Sequence, residues 1–216
     1  MDIVLTEEEV RVLGSLIEKQ VTTPEYYPLT MKALVAACNQ RSNRHPVVSY
    51  DEQIAEHAMN GLRDKKLGWV IKKSDSRVLK YGHIFPEVFH LTPPQTAAMC
   101  VLMLRGPLTP GEIRSTAGRL YDFKDLAEVD DTLNALINNE QGSMIIMIAR
   151  QPGQKEARYA HLLAGEIDPG EIQTSAPYYQ PSSGSGLSVL EEEIAALRRE
   201  IQELRDEFYE FKKQFD

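Results

Sequence analysis

Apolar and polar positions along the first 90 residues follow a helical period three times and then a strand period twice. In "LTEEEVRVLGSLIEKQ" (5–20), Val10, Leu13 and Ile17 recur at helical spacing behind Thr6, a typical N-cap. Two further helical segments lie in "PLTMKALVAAC" (28–38) and in "YDEQIAEHAMNGLRDKK" (50–66). The β-type segments "GWVIKK" and "VLKYGHI" follow, separated by the turn residues "KSDSR". The pattern predicts three helices and a β-hairpin.

The same order of elements recurs in residues 91–164. "LTPPQTAAMCVLMLRG", "PLTPGEIRSTAG" and "DLAEVDDTLNALINN" repeat the three helical patterns, and "SMIIMIAR" and "EARYAHLL" repeat the strands. Lys-Tyr-Gly-His at 80–83 and Arg-Tyr-Ala-His at 158–161 lie 78 positions apart. Three helices followed by a hairpin wing are typical of the winged helix, a variant of the helix-turn-helix. We predict a mainly α protein with small β wings, built from tandem winged-helix domains at 1–90 and 91–164.

Residues 165–216 have a different pattern. The stretch 165–186 is rich in Gly, Pro and Ser and is predicted to be a flexible linker. Residues 187–216 carry a heptad seam, which predicts a coiled-coil helix. The seam residues proposed for dimerisation are Leu190, Ile194, Leu197, Ile201, Leu204, Phe208 and Phe211. Glu193, Glu200 and Glu207 would face Arg198, Arg205 and Lys212 of a second chain, which favours a parallel homodimer. The alternative is a single amphipathic helix that packs on its own domains.

The polar stretch "CNQRSNRHPVVSYDEQ" (38–53) is longer than its counterpart in the second copy, which has no cluster of Asn and Gln. One interpretation is that the first domain contacts double-stranded DNA through this loop, the third helix and the wing. The predicted nucleic-acid-binding residues are Arg41, Arg44, Gln53, Asn60, Arg63, Lys72, Lys73 and Arg77. Glu52 and Glu56 oppose this interpretation, because like charges repel at the entrance to the groove.

The alternative interpretation is a scaffold whose winged helices bind protein and no nucleic acid. In that case Asn39 and Asn43 are cap and turn residues, and the two loop arginines pair with nearby acids. The candidate acids are Glu25, Asp51 and Glu52. The third helix of the second copy shows Glu128, Asp131, Asn134 and Asn138, a surface suited to a protein contact rather than to phosphate. A contiguous basic patch favours DNA, and arginines consumed in ion pairs favour the scaffold.

Composition narrows the function classes. The net charge is −8, which argues against a generic nucleic-acid binder. Residues 1–90 hold 12 basic and 12 acidic side chains, whereas residues 164–216 hold 5 basic and 12 acidic side chains, so the acidity belongs to the tail.

No catalytic constellation, phosphate-binding loop or metal-ligand spacing stands out, so we expect a non-enzymatic protein without cofactor, metal or small-molecule substrate. Cys38 and Cys100 fit reduced core residues. Neither a membrane span nor a signal peptide is evident, so we expect a cytoplasmic protein.

The stretches "LGSLIEKQ", "TPEYYPLT" and "NQRSNRHPV" resemble the YceH family, a group of bacterial proteins of unknown function. The resemblance covers both predicted domains and continues to the C-terminal helix. It implies a tandem winged-helix fold in a cytoplasmic protein. It implies no established activity, so the choice between a DNA-binding regulator and a protein scaffold stays open.

Overall fold

The computed structural model describes residues 3–72, 78–150 and 156–165, all of which belong to one compact unit. The predicted flexible linker and the coiled-coil segment lie outside the described residues. The elements of the first half are α1 (Glu7–Thr22), α2 (Met31–Cys38), α3 (Glu52–Asp64), β1 (Gly68–Lys72) and β2 (Leu79–His83). A short helix α4 (Phe85–Val88) leads to α5 (Pro93–Arg105), α6 (Pro110–Ala117), α7 (Leu126–Ile137), β3 (Ile145–Ile148) and β4 (Arg158–His161). The described part is thus mainly helical, with two small antiparallel sheets that resemble wings.

Four Leu-Thr pairs set the starts of the first two helices in each half. Thr6, Thr30, Thr92 and Thr109 are the N-cap residues of α1, α2, α5 and α6. At three of them, a Glu or Gln three residues later accepts a hydrogen bond from the backbone N–H of the cap residue. The N-cap predicted at Thr6 is therefore confirmed, and its three counterparts have the same role.

The two halves share one further backbone feature. Leu29 and Tyr81 exchange two backbone hydrogen bonds of 3.0 and 2.8 Å, and Leu108 and Tyr159 exchange two of 3.0 and 2.7 Å. In each half the leucine of Pro-Leu-Thr thus forms a one-residue third strand beside the tyrosine of the last strand. The repeated sequence motifs mark the same structural contact twice.

Helices α1 and α5, the first helix of each half, pack against each other. A Cβ atom built on Gly14 would lie 2.9 Å from Cδ2 of Leu104, so the small residue permits this close approach. Cys100 lies in the same contact, with its Sγ 3.4 Å from the carbonyl oxygen of Gly14. Cys100 and Cys38 are both buried and free, which confirms the prediction of reduced core cysteines.

Two features of the fold were not predicted. Helix α4 and a single turn of 3-10 helix at Pro24–Tyr26 lie in stretches without helical periodicity. The four strands are each one to four residues shorter than the β-type segments in the sequence. Among the described residues, no helix is both long and apolar enough to cross a bilayer.

Candidate nucleic-acid interface

The loop between α2 and α3, residues 39–50, is closed at its base by one side chain. The amide of Asn39 donates to the Tyr50 carbonyl and accepts from the Tyr50 N–H, both at 2.8 Å. Asn39 also follows the last residue of α2 as its C-cap. Asn43 has a φ of 58°, a left-handed conformation that asparagine tolerates better than most residues. Both asparagines therefore have the cap and turn roles of the scaffold interpretation.

Arg44 lies beneath the surface of the loop, with 5% of its area exposed. Its guanidinium donates to both carboxylate oxygens of Glu18 on α1, at 3.1 and 2.6 Å, and to the carbonyl of Ala37. This position contradicts the predicted phosphate contact, because the guanidinium N–H groups of Arg44 already donate to groups inside the protein. The pairing partner is Glu18, not any of the acids proposed from the sequence.

Burial of the Glu18 carboxyl raises its pKa, but the hydrogen bonds and charge of Arg44, with Lys19, outweigh burial and hold the pKa below its usual range. The pair is therefore ionised at neutral pH. A second arginine supports the loop from below, since buried Arg11 of α1 donates to the Pro46 carbonyl at 2.5 Å. Neither Glu18 nor Arg11 stood out in the sequence, because both lie on a helix face that looks solvent-exposed until the loop covers it.

The loop also joins the two halves. The N–H of His45 donates to the carbonyl of Leu104 on α5 at 2.8 Å. Arg105, at the end of α5, donates to Asn43 Oδ1 at 3.3 Å. The insertion found only in the first copy thus contacts the first helix of the second copy. We interpret most of the loop as a structural bridge.

Arg41 differs from Arg44 both in its exposure to solvent and in its lack of a bonding partner among the described residues. It is exposed, and it has no hydrogen bond or ion pair with any described residue. Gln53, Asn60 and Arg63 are likewise exposed along α3, which places them where a winged helix presents base-reading side chains. Arg63 donates to Asn60 Oδ1 at 3.2 Å. These four residues remain candidates for a nucleic-acid contact.

Acidic side chains share this surface. Glu52, Glu56 and Asp64 are exposed on α3, where Arg63 is the one lysine or arginine. Burial raises the pKa of Tyr81 on β2, and the nearby carboxylates of Glu56 and Glu52 raise it further. The carboxylates therefore face the sheet side of α3, next to the wing.

The wing of the first half has cations at its far end. Lys72, the last residue of β1, is exposed, and Lys80 of β2 is half-buried. Lys73 and Arg77 lie outside the described residues. On the 39–50 loop, α3 and the two wing strands, the described cations that are neither buried nor ion-paired are therefore Arg41, Arg63, Lys72 and Lys80, and the burial of Arg44 removes it from the predicted set.

Helix α7, the counterpart of α3, has no basic residue between Leu126 and Ile137. Asp130, Asp131, Asn134 and Asn138 are exposed on it. Glu128 is turned back, accepting from the Tyr121 hydroxyl at 2.6 Å and from the Lys124 N–H at 2.8 Å. The exposed Leu126 and Met147 add apolar area, 48% and 54% exposed respectively. This half has a surface suited to protein rather than to phosphate.

Comparison with known proteins gives family relationships but no activity. Residues 5–154 match the model of a family described as "Protein of unknown function, DUF480". A UPF0502 protein of Opitutus terrae is 48% identical, over 90% of this chain and 84% of that protein. A UPF0502 protein of Pelobacter propionicus is 46% identical over the full length of both chains. UPF0502 protein YceH of Salmonella arizonae is 42% identical, over 90% of this chain and 93% of that protein.

Proposed function

The chain belongs to the DUF480 family of proteins of unknown function, together with YceH and other UPF0502 proteins, and we propose that it is a non-enzymatic, cytoplasmic protein-interaction scaffold. Its described residues would form two tandem winged-helix domains, whose third helices, α3 and α7, bind partner proteins. The single observation that carries this proposal is the excess of exposed carboxylates over cations on both of these helices.

The tandem winged-helix interpretation is supported by the repeated backbone pattern. Each half has three helices, a hairpin, and a third-strand bridge between the Pro-Leu-Thr leucine and the last strand. In winged helices the third helix is the usual recognition element, and it also lies exposed here. The charge of the exposed faces of α3 and α7 therefore indicates the class of partner that these helices would bind.

The charge of both third helices disfavours a phosphate backbone. B-DNA carries one negative charge per about 1.7 Å of its axis, and binding is driven by cations that displace counterions. On α3, the exposed Glu52, Glu56 and Asp64 would meet phosphates with one arginine to compensate, and on α7 there is no compensating cation. The burial of Arg44 in an ion pair removes a further cation from this surface. Protein partners can supply basic side chains to such a surface.

Site-specific photo-crosslinking in living cells tests this proposal. A photoreactive residue is placed at Glu56 on α3 or at Asp131 on α7, both exposed. Matched control positions are Glu25 and Ser115, which are also exposed and lie on other elements. Each adduct is then treated with protease or nuclease to identify its chemical class.

We expect adducts at Glu56 and Asp131 that protease removes and nuclease does not, with at least about fivefold weaker adducts at the control positions. Adducts that nuclease removes would contradict the proposal, and so would equal labelling at all four positions.

A second candidate function is DNA binding by the first half, acting as a transcription-related regulator. The observation that favours it is the exposure of Gln53, Asn60 and Arg63 on one helix, with Arg41 exposed and unpaired among the described residues. These side chains could read base edges and neutralise phosphates. In a homodimer joined through residues 187–216, two first halves would meet a two-fold target site.

This second candidate makes its own prediction for matched arginines. Replacing exposed Arg41 with Ala should weaken DNA binding and reduce the salt slope by about one unit. The variant Lys72→Ala should behave in the same way. The variant Arg44→Ala should change the fold stability but not the salt slope, because Arg44 is buried. Equal effects of all three variants on the slope would contradict this assignment of contacts.

A further inference from the structure

Strand β3 (Ile145–Ile148) has an open outer edge, because β4 is its one partner among the described residues. The N–H of Leu162 donates to the carbonyl of Met144, in register with the β3–β4 ladder. Hydrogen-bonded and non-hydrogen-bonded pairs alternate in an antiparallel ladder, so Met147 and Tyr159 are a non-hydrogen-bonded pair. The backbone groups of Tyr159 bond to Leu108 on the inner side. The N–H and C=O of Met147 therefore point to the open edge.

The side chains of β3 leave this edge unprotected. The strand reads Ile-Ile-Met-Ile, without charge, and Met147 is 54% exposed. Edge strands of stable proteins are usually blunted by charged residues, above all lysine, to prevent pairing with other chains. The equivalent strand β1 follows this rule, because it ends on exposed Lys72. The contrast between the two copies singles out β3 as an edge suited to pairing.

The surroundings of Met147 are acidic. Cross-strand neighbours point to the same face of a sheet, so Met147 lies beside Tyr159. Burial raises the pKa of Tyr159, and the carboxylate of Asp130 on α7 raises it further, which places Asp130 near the ring. Asp131 is exposed on the same helix, which has no basic residue. An extended chain beside Met147 would therefore pass close to the carboxylate of Asp130.

We propose that the open edge of β3 binds an extended, basic segment of a partner protein as an additional strand. Main-chain hydrogen bonds to Met147 supply affinity, and α7 selects basic side chains by charge. A second copy of the same edge fits less well, because Asp130 would approach its own equivalent with like charge. The proposal deepens the scaffold function proposed above and rests on it, since it names the binding mode and partner chemistry of the second half.

Titration of the isotope-labelled full chain with synthetic peptides, followed by amide NMR, tests the proposal. The probe is a seven-residue peptide of alternating Lys and Val. Its controls are an alternating Glu and Val peptide, and a Lys and Val peptide with a central Pro, which cannot donate along a strand. The basic peptide should shift the amides of Ile145 and Met147, slow the exchange of the Met147 amide, and bind at least about tenfold more tightly than either control.

Two variants make the test specific. Met147→Lys places a blocking charge on the exposed edge and should weaken peptide binding at least about tenfold, whereas Ile71→Lys on the exposed wing of the first half should not. Asp130→Asn with Asp131→Asn should weaken binding and reduce its dependence on salt. Unfolding midpoints of each variant confirm that the fold is retained. Since Met147 is a surface residue, retained folding is expected.

The outcomes separate this inference from the scaffold proposal. Peptide shifts confined to the first half, equal binding of the acidic peptide, or full binding by Met147→Lys would overturn the β3 site and leave the crosslinking test of α3 and α7 untouched. Peptide binding at β3 without protein adducts in cells would support the β3 site and contradict the scaffold proposal.

Discussion

Arg44 is the residue on which the packing of the 39–50 loop depends. It connects α1, the end of α2 and the loop through its guanidinium, and its side chain has no exposed area. Removing one partner of a buried pair costs more than the pair itself contributes, because the remaining charge is left without compensation. The carboxylate of Glu18 would retain Lys19 at 3.2 Å, which limits this cost.

The first prediction follows from this pair. The variant Arg44→Ala should lower the free energy of unfolding by about 2–4 kcal/mol, measured by urea denaturation. The matched control Arg41→Ala should change it by less than about 0.5 kcal/mol, because Arg41 is exposed and unpaired among the described residues. Equal stability of the two variants would show that the Glu18 pair does not hold the loop.

Two histidines, buried His83 and half-buried His161, occupy equivalent positions at the ends of β2 and β4. Burial lowers the pKa of both His83 and His161 to about 4. Nδ1 of His83 accepts from the Phe85 N–H at 3.3 Å, which fits the neutral ring. Among the described residues, Nε2 of His83 and Nδ1 of His161 have no hydrogen-bond partner. Both rings are therefore neutral in the folded protein well below pH 6.5.

The second prediction is a loss of stability in mild acid. The folded-state pKa lies below the unfolded value of 6.5, so the unfolded state binds protons first and stability falls between about pH 6.5 and 4. By pH 5 the loss should be about 2 kcal/mol for each histidine. Carboxyls with a lowered pKa, such as Glu18, add their loss only below about pH 4.5.

Urea unfolding at a series of pH values measures this loss. The double variant His83→Asn with His161→Asn should remove most of the slope between pH 6.5 and 4.5, whereas His57→Asn, on the exposed face of α3, should retain it. An unchanged slope in the double variant would rule out these histidines as its source.

The sequence predicted the exposure of some candidate-site residues but not the burial of Arg44. Gln53, Asn60 and Arg63 are exposed on α3 as the helical period predicts. The burial of Arg44 was not predictable, because its partner Glu18 is 26 residues away and no local pattern links them. The sequence of a basic loop does not show whether its arginines face solvent or pair with a carboxylate that the loop itself buries.

At the scale of elements, the contact between α1 and α5 depends on Gly14. A Cβ there would lie 2.9 Å from Leu104 Cδ2 and 3.3 Å from Met103 Cβ, so these side chains would have to shift to admit it. A branched side chain would add two more carbons to the same space. The close approach of the two helices therefore requires a small residue at this position.

The third prediction tests that contact. Gly14→Val should lower the free energy of unfolding by about 1–3 kcal/mol, measured by urea denaturation. Gly111→Ala is a suitable control, because its new Cβ would lie 4.0 Å from the nearest heavy atom. In a helix, that change should be neutral or stabilise by up to about 1 kcal/mol. A Gly14→Val protein as stable as the parent would mean that the helices separate without cost.

The elements themselves were largely predictable. Thr caps, helical periods and paired β-type segments locate six of the seven helices in the described residues and all four strands there. Helix α4 was missed because four residues are too few to show a period. The open edge of β3 was also not evident, because strand order and hydrogen-bond phase depend on the third-strand bridge to Leu108.

At the scale of the whole molecule, the loop and the α1–α5 contact join the two halves within one compact unit, and the predicted domain boundary near residue 90 stays a prediction. The sequence shows the repeat but not the α1–α5 contact, because packing between the two copies leaves no periodic pattern in the sequence. The C-terminal heptad lies outside the described residues and stays a prediction.

The fourth prediction is that residues 187–216 join two chains in parallel. Light scattering should give a dimer for the full chain at tens of micromolar and a monomer for a chain that ends at Ala164. A full-length monomer, or a shortened chain that stays dimeric, would show that the heptad is not the dimerisation element.

The most direct test of the central claim, that the third-helix faces bind protein rather than DNA, is fluorescence anisotropy of the full chain with genomic duplex fragments over a salt series. We expect affinity no better than non-specific binding, which is typically about 10⁻⁴–10⁻⁶ M at physiological salt, and a salt slope that Arg41→Ala with Lys72→Ala leaves unchanged. Specific binding in the nanomolar range at that salt, lost in this double variant and retained in Arg44→Ala, would contradict the scaffold and establish the first half as a DNA-binding domain.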